Sequence, residues 1–373
     1  MQIAPFALER YFARHEFTAR YLLSSSDCEA LSMAELLDLA DAESRRLWDE
    51  LRLGYTESAG HPLLREAIAE LYDETIGPQN VRVLVPEEGI FLAMHALLSP
   101  GAHVVCAFPA YQSLYEVARS IGCEVSTWEP DEARGWRFDL GHLEGLLRDS
   151  TELVVVNFPH NPTGHLPDEA DYRALVDLLR PRGIHLLSDE MYRFLELDRR
   201  TTLPSGCEIY DRALTLFGLS KSYGLPGLRI GWLAGQDADL LARISVLKDY
   251  TTICASAPSE LLAIVALRSG DRILEPQRQR IRRNLAAFEA FVADHDDLLR
   301  YHRPAGGSVC FPRLLAPEGS AAFCQRLVRE AGIMLVPSAM FHYGDAHVRV
   351  GLGRDDLPAV LERLEAYLRR RTG

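Results

Sequence analysis

The chain is 373 residues long, with 47% hydrophobic and 25% charged residues and a formal net charge of −13. That length gives room for two or three ordinary domains, and the composition is that of a soluble globular protein. The negative balance disfavours nucleic acid and anionic membrane surfaces as partners, and seven scattered cysteines without a CxxC pair exclude a disulfide framework or a zinc finger.

The opening stretch, "MQIAPFALERYFARHEF", carries charge from Glu9 onward and has no apolar core. It is not read as a secretion signal, and no window is apolar for long enough to span a bilayer. A cytoplasmic protein with reduced thiols is expected. In "YLLSSSDCEALSMAELL" (21–37), Ser32 and Glu35 form a capping box that predicts a helix starting at Met33. The polar run Ser24, Ser25, Ser26 and Asp27 lies outside that explanation. It suits hydrogen bonding or, through Asp27, a cation. Residues 1–40 have no strand pattern and are expected to pack on the C-terminal domain.

From residue 41 to 257 short apolar runs alternate with amphipathic stretches. "VRVLVP" (81–86) precedes "GIFLAMHALL", "HVVCAF" (103–108) precedes "QSLYEVARSIG", and "ELVVVNFP" (152–159) precedes "EADYRALVDLLRPRG". "IHLLSDE" (184–190), "ALTLFGLS" (213–220) and "LRIGWLAG" (228–235) follow. Near-continuous apolar strands separated by helix-length crossovers predict an α/β domain with a mostly parallel sheet covered on both faces. From residue 258 to 373 long helical patterns surround "GGSVCFPRLL", "IMLVPSAMF" and "HVRVGLG", which predicts a smaller α+β domain.

Three segments carry chemistry. Lys221, in "FGLSKSYGLPGLRIGW" (217–232), sits among small and apolar residues, where an amine loses charge stabilisation and becomes a nucleophile. Asp189, in "LLSDEMY" (186–192), closes an apolar strand, where an unpaired carboxylate is costly and wants a cationic partner; Tyr192 follows within reach. "NFPHNPTG" (157–164) puts Asn161 at a strand's carboxyl end, the ligand-binding edge of open α/β sheets. Arg229 offers a fork suited to phosphate.

In this order, "NPTG", "SDEMY" and "SKSYGLPGLRIG" resemble the signature of the class I/II aminotransferases, fold-type-I enzymes dependent on pyridoxal 5'-phosphate, and matching motifs run from about Gly54 to Arg349. The resemblance implies a seven-stranded sheet between helices, a smaller domain and a homodimer. It implies Lys221 as the amine holding the cofactor as a Schiff base, the internal aldimine, and then moving the substrate α-proton. Asp189 would face the ring nitrogen, and Asn161 and Tyr192 the ring's phenolic oxygen. Tyr111, in "FPAYQSLY", would stack on the ring, with core packing beside Tyr115 as its plainer reading. The phosphate would meet Arg229, Ser220 and the start of a helix near Gly89 and Ile90. Tyr55 would cross to the partner's phosphate, and Arg349 would clamp the substrate carboxylate, with Arg354 an exposed neighbour of no role. Ser26 and Asp27, with Asn161, are further substrate-side candidates. The cis or trans state of the bond before Pro162 is left open.

The chain departs from that pattern at three places. Gly218 stands where many relatives have a phosphate-binding serine, which leaves Ser220 or Ser222 to donate. Glu87 and Glu88 precede Gly89, so at least one must turn away from an anion. The run Ser24–Asp27 replaces a glycine-containing loop. "LERYF", "SSS" and the following helix resemble instead the start of the capreomycidine synthases, which cyclise a hydroxylated arginine. The activity implied is therefore transamination between an L-amino acid and a 2-oxo acid. A lyase or cyclase on the same scaffold is the alternative, and no metal is called for.

Overall fold

The structure, a computed structural model, describes residues 2–372. Seven strands form the large sheet: β1 (Val81–Leu84), β2 (His103–Ala107), β3 (Glu124–Trp128), β4 (Thr151–Asn157), β5 (His185–Asp189), β6 (Ala213–Gly218) and β7 (Gly231–Gly235). Their order is β1-β7-β6-β5-β4-β2-β3. Only β7 runs against its neighbours; every other pairing is parallel. The mostly parallel seven-stranded sheet is as the resemblance implies. β3 has no counterpart among the apolar runs, because "EVSTW" lies at the sheet edge with only Trp128 buried.

The apolar runs read as they do because both faces of the sheet are covered. Alternate residues serve opposite faces. Val104 and Cys106 of β2 join helices Pro86–Leu97 and Ser113–Ile121, whereas Val105 and Ala107 join Tyr172, Leu175 and Val176 of helix Glu169–Leu179. Full burial of each Leu or Val contributes about 1.5–3 kcal/mol, and these strands are almost wholly inaccessible. The six foreseen strands and their crossovers follow from that single constraint.

The smaller unit centres on Val348–Gly351, flanked antiparallel by Val309–Cys310 and Val336–Pro337. Helices Asp271–Asp294, Gly319–Ala331 and Leu357–Thr372 cover it. Although the composition shifts near residue 258, helix Ala257–Ser269 buries Leu261 to Leu267 with Phe217 and Trp232 of the large sheet. The packing therefore changes over later, inside the long helix: Ile273 and Leu274 belong to the Trp232 cluster, and Ile281, Leu285 and Phe288 to the small core.

The N-terminal segment lies across both units. Tyr21–Leu22 pairs parallel with Ile333–Met334, while Leu36 packs with Trp232. Ser32 caps helix Met33–Asp38 as foreseen, with Glu35 N–H donating to Ser32 Oγ at 3.2 Å and Ser32 N–H to Glu35 Oε2 at 2.7 Å. All seven cysteines are free thiols, and only Cys254 is not buried. Among the described residues no helix is long and apolar enough to cross a membrane, and no group of three His, Cys, Asp or Glu could hold a metal ion.

Candidate active site

The carboxyl ends of β4, β5 and β6 open on a cavity of about 410 Å³ between the sheet, the small unit and the N-terminal segment. Asp189 ends β5 in register with Asn157 at the end of β4. Asn157 ties the floor together: its Nδ2 donates to the Asp189 carbonyl at 2.9 Å, and its Oδ1 accepts from Asn161 N–H at 2.8 Å. Asn157 was no candidate from sequence, although it stands in the same "NFPHNP" run as Asn161. The Asn161–Pro162 peptide bond is cis.

Two adjacent acids show what the site requires. Glu190 points to the far side of the sheet, where Ser205 Oγ (3.0 Å), Gly206 N–H (2.9 Å) and the Arg193 guanidinium (3.0 Å) satisfy it. Asp189 lines the cavity at 5% exposure, accepts from Met191 N–H at 3.1 Å, and pairs with no cationic side chain among the described residues. Burial pushes its carboxyl up to about 7. A buried carboxylate without a partner invites a cation that the chain itself does not supply.

Lys221 stands just beyond β6, and its Nζ donates to Ser26 Oγ at 2.9 Å. Burial lowers its pKa, so more of it is the free amine. Tyr192 is buried beside these groups, and burial pushes its phenol up to about 12. At the other end Arg349 is 1% exposed, with its terminal nitrogens donating to Ser24 O (2.9 Å) and Asn161 Oδ1 (3.3 Å). Its guanidinium lies between the rings of Phe12 (5.7 Å) and Phe341 (5.4 Å), and its Nε has no partner. Burying a guanidinium without a carboxylate costs several kcal/mol. The fork is held ready for an anionic ligand.

The anion end needs one correction. The helix expected near Gly89 begins at Pro86, and Gly89 N–H already donates to Val85 O at 2.9 Å. The open N–H groups of the first turn belong to Glu87 and Glu88, since Pro86 has none. Gly89 serves packing: a Cβ there would lie 2.8 Å from Leu84 Cδ1 and 2.9 Å from Leu216 Cδ1. Ile90, inside the helix, reaches the cavity with its side chain. Glu88 turns outward to accept from Thr252 Oγ1 at 2.8 Å, whereas Glu87 faces the cavity and accepts from Ser113 Oγ at 3.2 Å.

Arg229 lines the same end, its NH1 donating to Pro226 O at 3.0 Å. Of the two serines left to replace one at Gly218, Ser220 lines the cavity, while Ser222 Oγ is spent on Arg193 O at 2.6 Å. Tyr111 borders the cavity, with its hydroxyl donating to Glu9 Oε1 at 2.8 Å; Tyr115 is the core residue, bonded to His342 Nδ1 at 2.6 Å. Tyr55 does not line this cavity and is 91% exposed.

The N-terminal segment forms the remaining wall. Ser26 and Asp27 line it as candidates, and Arg354, expected to be exposed, is partly buried with its NH1 3.8 Å from Asp27 and 3.5 Å from Glu29. Glu9, Phe12 and Glu16 line it too and escaped the sequence reading. Their signal was available, since spacings of three and seven put them on one face of helix Ala7–His15 and its end.

Together these residues fit pyridoxal 5'-phosphate: an amine for its aldehyde, an unpaired carboxylate for a pyridinium, and Arg229 with an open helix start for a phosphate. The model of the family "Aminotransferase class I and II" matches residues 21–364. Capreomycidine synthase of Streptomyces vinaceus is 33% identical over 98% of this chain and 95% of its own. A pyridoxal-phosphate-dependent aminotransferase from Streptococcus suis superposes with a TM-score of 0.92 at 32% identity, covering 99% of each chain. The pyridoxal-phosphate-dependent cyclase OrfR does so at 0.90 and 31%, covering 100% of this chain and 98% of its own. On this match of sequence, fold and site chemistry, the chain belongs to the class I and II aminotransferases and is a pyridoxal-phosphate-dependent enzyme.

Proposed function

We propose that the protein moves the α-amino group of an L-amino acid to a 2-oxo acid, with Lys221 as the covalent anchor and the proton carrier. The observation that carries this reading is the pairing of a lowered-pKa amine at Lys221 with an unpaired buried carboxylate at Asp189. The cofactor supplies an electron sink that acidifies the substrate Cα–H. Asp189 holds a proton at the ring nitrogen, Asn161 and Tyr192 donate at the phenolic oxygen, and Tyr111 covers the ring face. Arg229, Ser220 and the N–H groups of Glu87 and Glu88 hold the phosphate. Arg349 orients the substrate carboxylate, and Lys221 Nζ takes and returns the α-proton.

The active unit is a homodimer. Tyr55, Leu53, Val246, Tyr250 and Ile253 are all exposed apolar side chains, and their two segments meet where Ser58 bonds Asp249 and Lys248. The second segment reaches the Pro86 helix start, where Thr251 and Thr252 meet Glu88. A second copy on these side chains would place Tyr55 toward the partner's phosphate site. Free, mostly buried thiols suit a cytoplasmic location.

A cyclising or eliminating reaction on the same scaffold is the alternative reading. Coverage does not separate the two, since the capreomycidine synthase match takes in 98% of the chain and the Streptococcus suis aminotransferase 99%. A single half-turnover separates the two. Holoenzyme is mixed with each amino acid of a panel, without a 2-oxo acid, and products are identified by mass. Release of one equivalent of 2-oxo acid per site, stopping until a 2-oxo acid is added, is the expected result. Continuous turnover with loss of water or ammonia from the substrate gives the alternative.

A further inference from the structure

Resting on that reading, we infer that the substrate amino acid carries a positively charged side chain, guanidinium or ammonium, received by Glu9, Glu16 and Asp27. The cavity lining carries an excess of negative charge. Five carboxylates line the cavity, Glu9, Glu16, Asp27, Glu87 and Asp189, against three cations, Lys221, Arg229 and Arg349. Each cation has a destination: Lys221 the covalent link, Arg229 the phosphate, Arg349 the substrate carboxylate. Asp189 has the ring nitrogen, and Glu87 lies on the Arg229 side beside Ser113. Glu9, Glu16 and Asp27 remain. Glu9 accepts from the Tyr111 hydroxyl, and Lys221 and Arg349 attract the group electrostatically. Among the described residues the side-chain cation paired with it is Arg354, 3.8 Å from Asp27 and shared with Glu29.

Several observations say that this wall faces a ligand rather than bulk water. Arg349, 1% exposed, leaves its Nε unpartnered in the same cavity, which fixes where the substrate's carboxylate goes. Lys221 Nζ, bonded to Ser26 beside Asp27, fixes where its amino group goes. The side chain is then directed toward the wall that carries Glu9, Glu16 and Asp27. Those acids share one wall: the Glu16 carboxyl is raised from its ordinary value by burial and by the charges of Asp27 and Glu9, with Arg354 and Lys221 opposing. A cation among them removes that repulsion, and a guanidinium has enough donors to meet all three. The same wall rejects an acidic side chain, and so disfavours dicarboxylic amino acids and dicarboxylic 2-oxo acids.

The test is calorimetric titration of the holoenzyme, without a 2-oxo acid, using arginine, lysine, citrulline, norleucine and glutamate. Citrulline keeps arginine's shape without its charge. Arginine and lysine should bind about 10- to 100-fold more tightly than citrulline and norleucine, the ratio given by hydrogen bonds to charged groups. Glutamate should bind most weakly. Glu16→Gln and Asp27→Asn should each lower the arginine-to-citrulline ratio about tenfold, in affinity more than in kcat, and Glu16→Lys should invert it. Equal binding of arginine and citrulline, or a ratio unmoved in all three variants, overturns the inference. Product from any of the panel would then still uphold the reading above; cation-selective binding with no product from any would sink that reading and leave this one standing.

Discussion

The cavity has two walls built on different principles. On the sheet side, Asp189, Asn161 and Lys221 hang from the ends of buried parallel strands, and Asn157 locks two of them with hydrogen bonds of 2.9 and 2.8 Å. On the N-terminal side, Glu9 lies in a short helix, Glu16 at its C-terminal end and Asp27 in the loop after a two-residue strand. The first wall is set by the fold core and carries the chemistry common to the cofactor. The second is hung on the periphery, where a change of residue costs little stability, and on the inference above it carries what is particular to the substrate.

The sharpest way to break that division is at Lys221. On the proposed roles Lys221→Ala would remove both the covalent anchor and the proton carrier, so kcat should fall by about 10,000-fold or more. Cofactor should still bind, held by Arg229, Asp189 and the helix start, and reduction with borohydride followed by denaturation should release all of it. Chromophore retained on the denatured variant would refute the assignment. Asp189→Asn should lower kcat by about 100- to 1,000-fold, the loss of one preorganised charge, with the fold intact.

Asp189→Asn also separates the cost of the site from its use. In cofactor-free protein the Asp189 pKa is raised by burial from 3.8 to about 7. A carboxyl whose folded pKa exceeds its unfolded one is destabilising when ionised. Its contribution is neutral below about pH 4, grows as pH rises toward 7, and is complete above that. Cofactor-free Asp189→Asn should therefore be more stable than cofactor-free wild type at pH 8, by up to about 4 kcal/mol, and equal to it near pH 4. Loading with cofactor should reverse the order, because only the carboxylate pairs with a ring cation. Denaturant melts of both proteins, with and without cofactor, read all four corners; parallel pH profiles for the two cofactor-free proteins would remove Asp189 from the account.

How much of each wall the sequence discloses follows from the same division. Strands buried on both faces must be continuous apolar runs, so β4, β5 and β6 and the polar residues ending them stand out. β3, half exposed at the edge, does not. Lys221, Asp189, Asn161, Tyr192, Arg229 and Arg349 lie in or beside such runs, and the structure gathers them around one cavity. The misses lie where tertiary contact decides. Gly89 looks like a phosphate contact until the helix is seen to start at Pro86, and Arg354 looks exposed until Asp27 and Glu29 are brought to it. The spacing of Glu9 and Glu16 puts them on one helix face, but nothing local records that this face lines the cavity.

The smallest effect tests how rigid the sheet wall is at the phosphate end. The family pattern the sequence resembles implies a serine at the position of Gly218, and placing one there would add a donor at the phosphate end. The packing works against that gain. A Cβ on Gly218 would meet Pro86 Cγ at 2.9 Å, the Ile230 carbonyl oxygen at 3.0 Å and Gly231 Cα at 3.1 Å. Two of these are backbone atoms of the adjoining segment and cannot swing aside, so the adjustment falls on Pro86 and the helix that opens on the phosphate. Gly218→Ser should cost about 1–3 kcal/mol, the range for overpacking a filled site, and cofactor affinity should fall rather than rise. If the variant binds cofactor more tightly and melts no lower, the Pro86 helix is free to shift. The sheet wall would then be as adaptable as the N-terminal one.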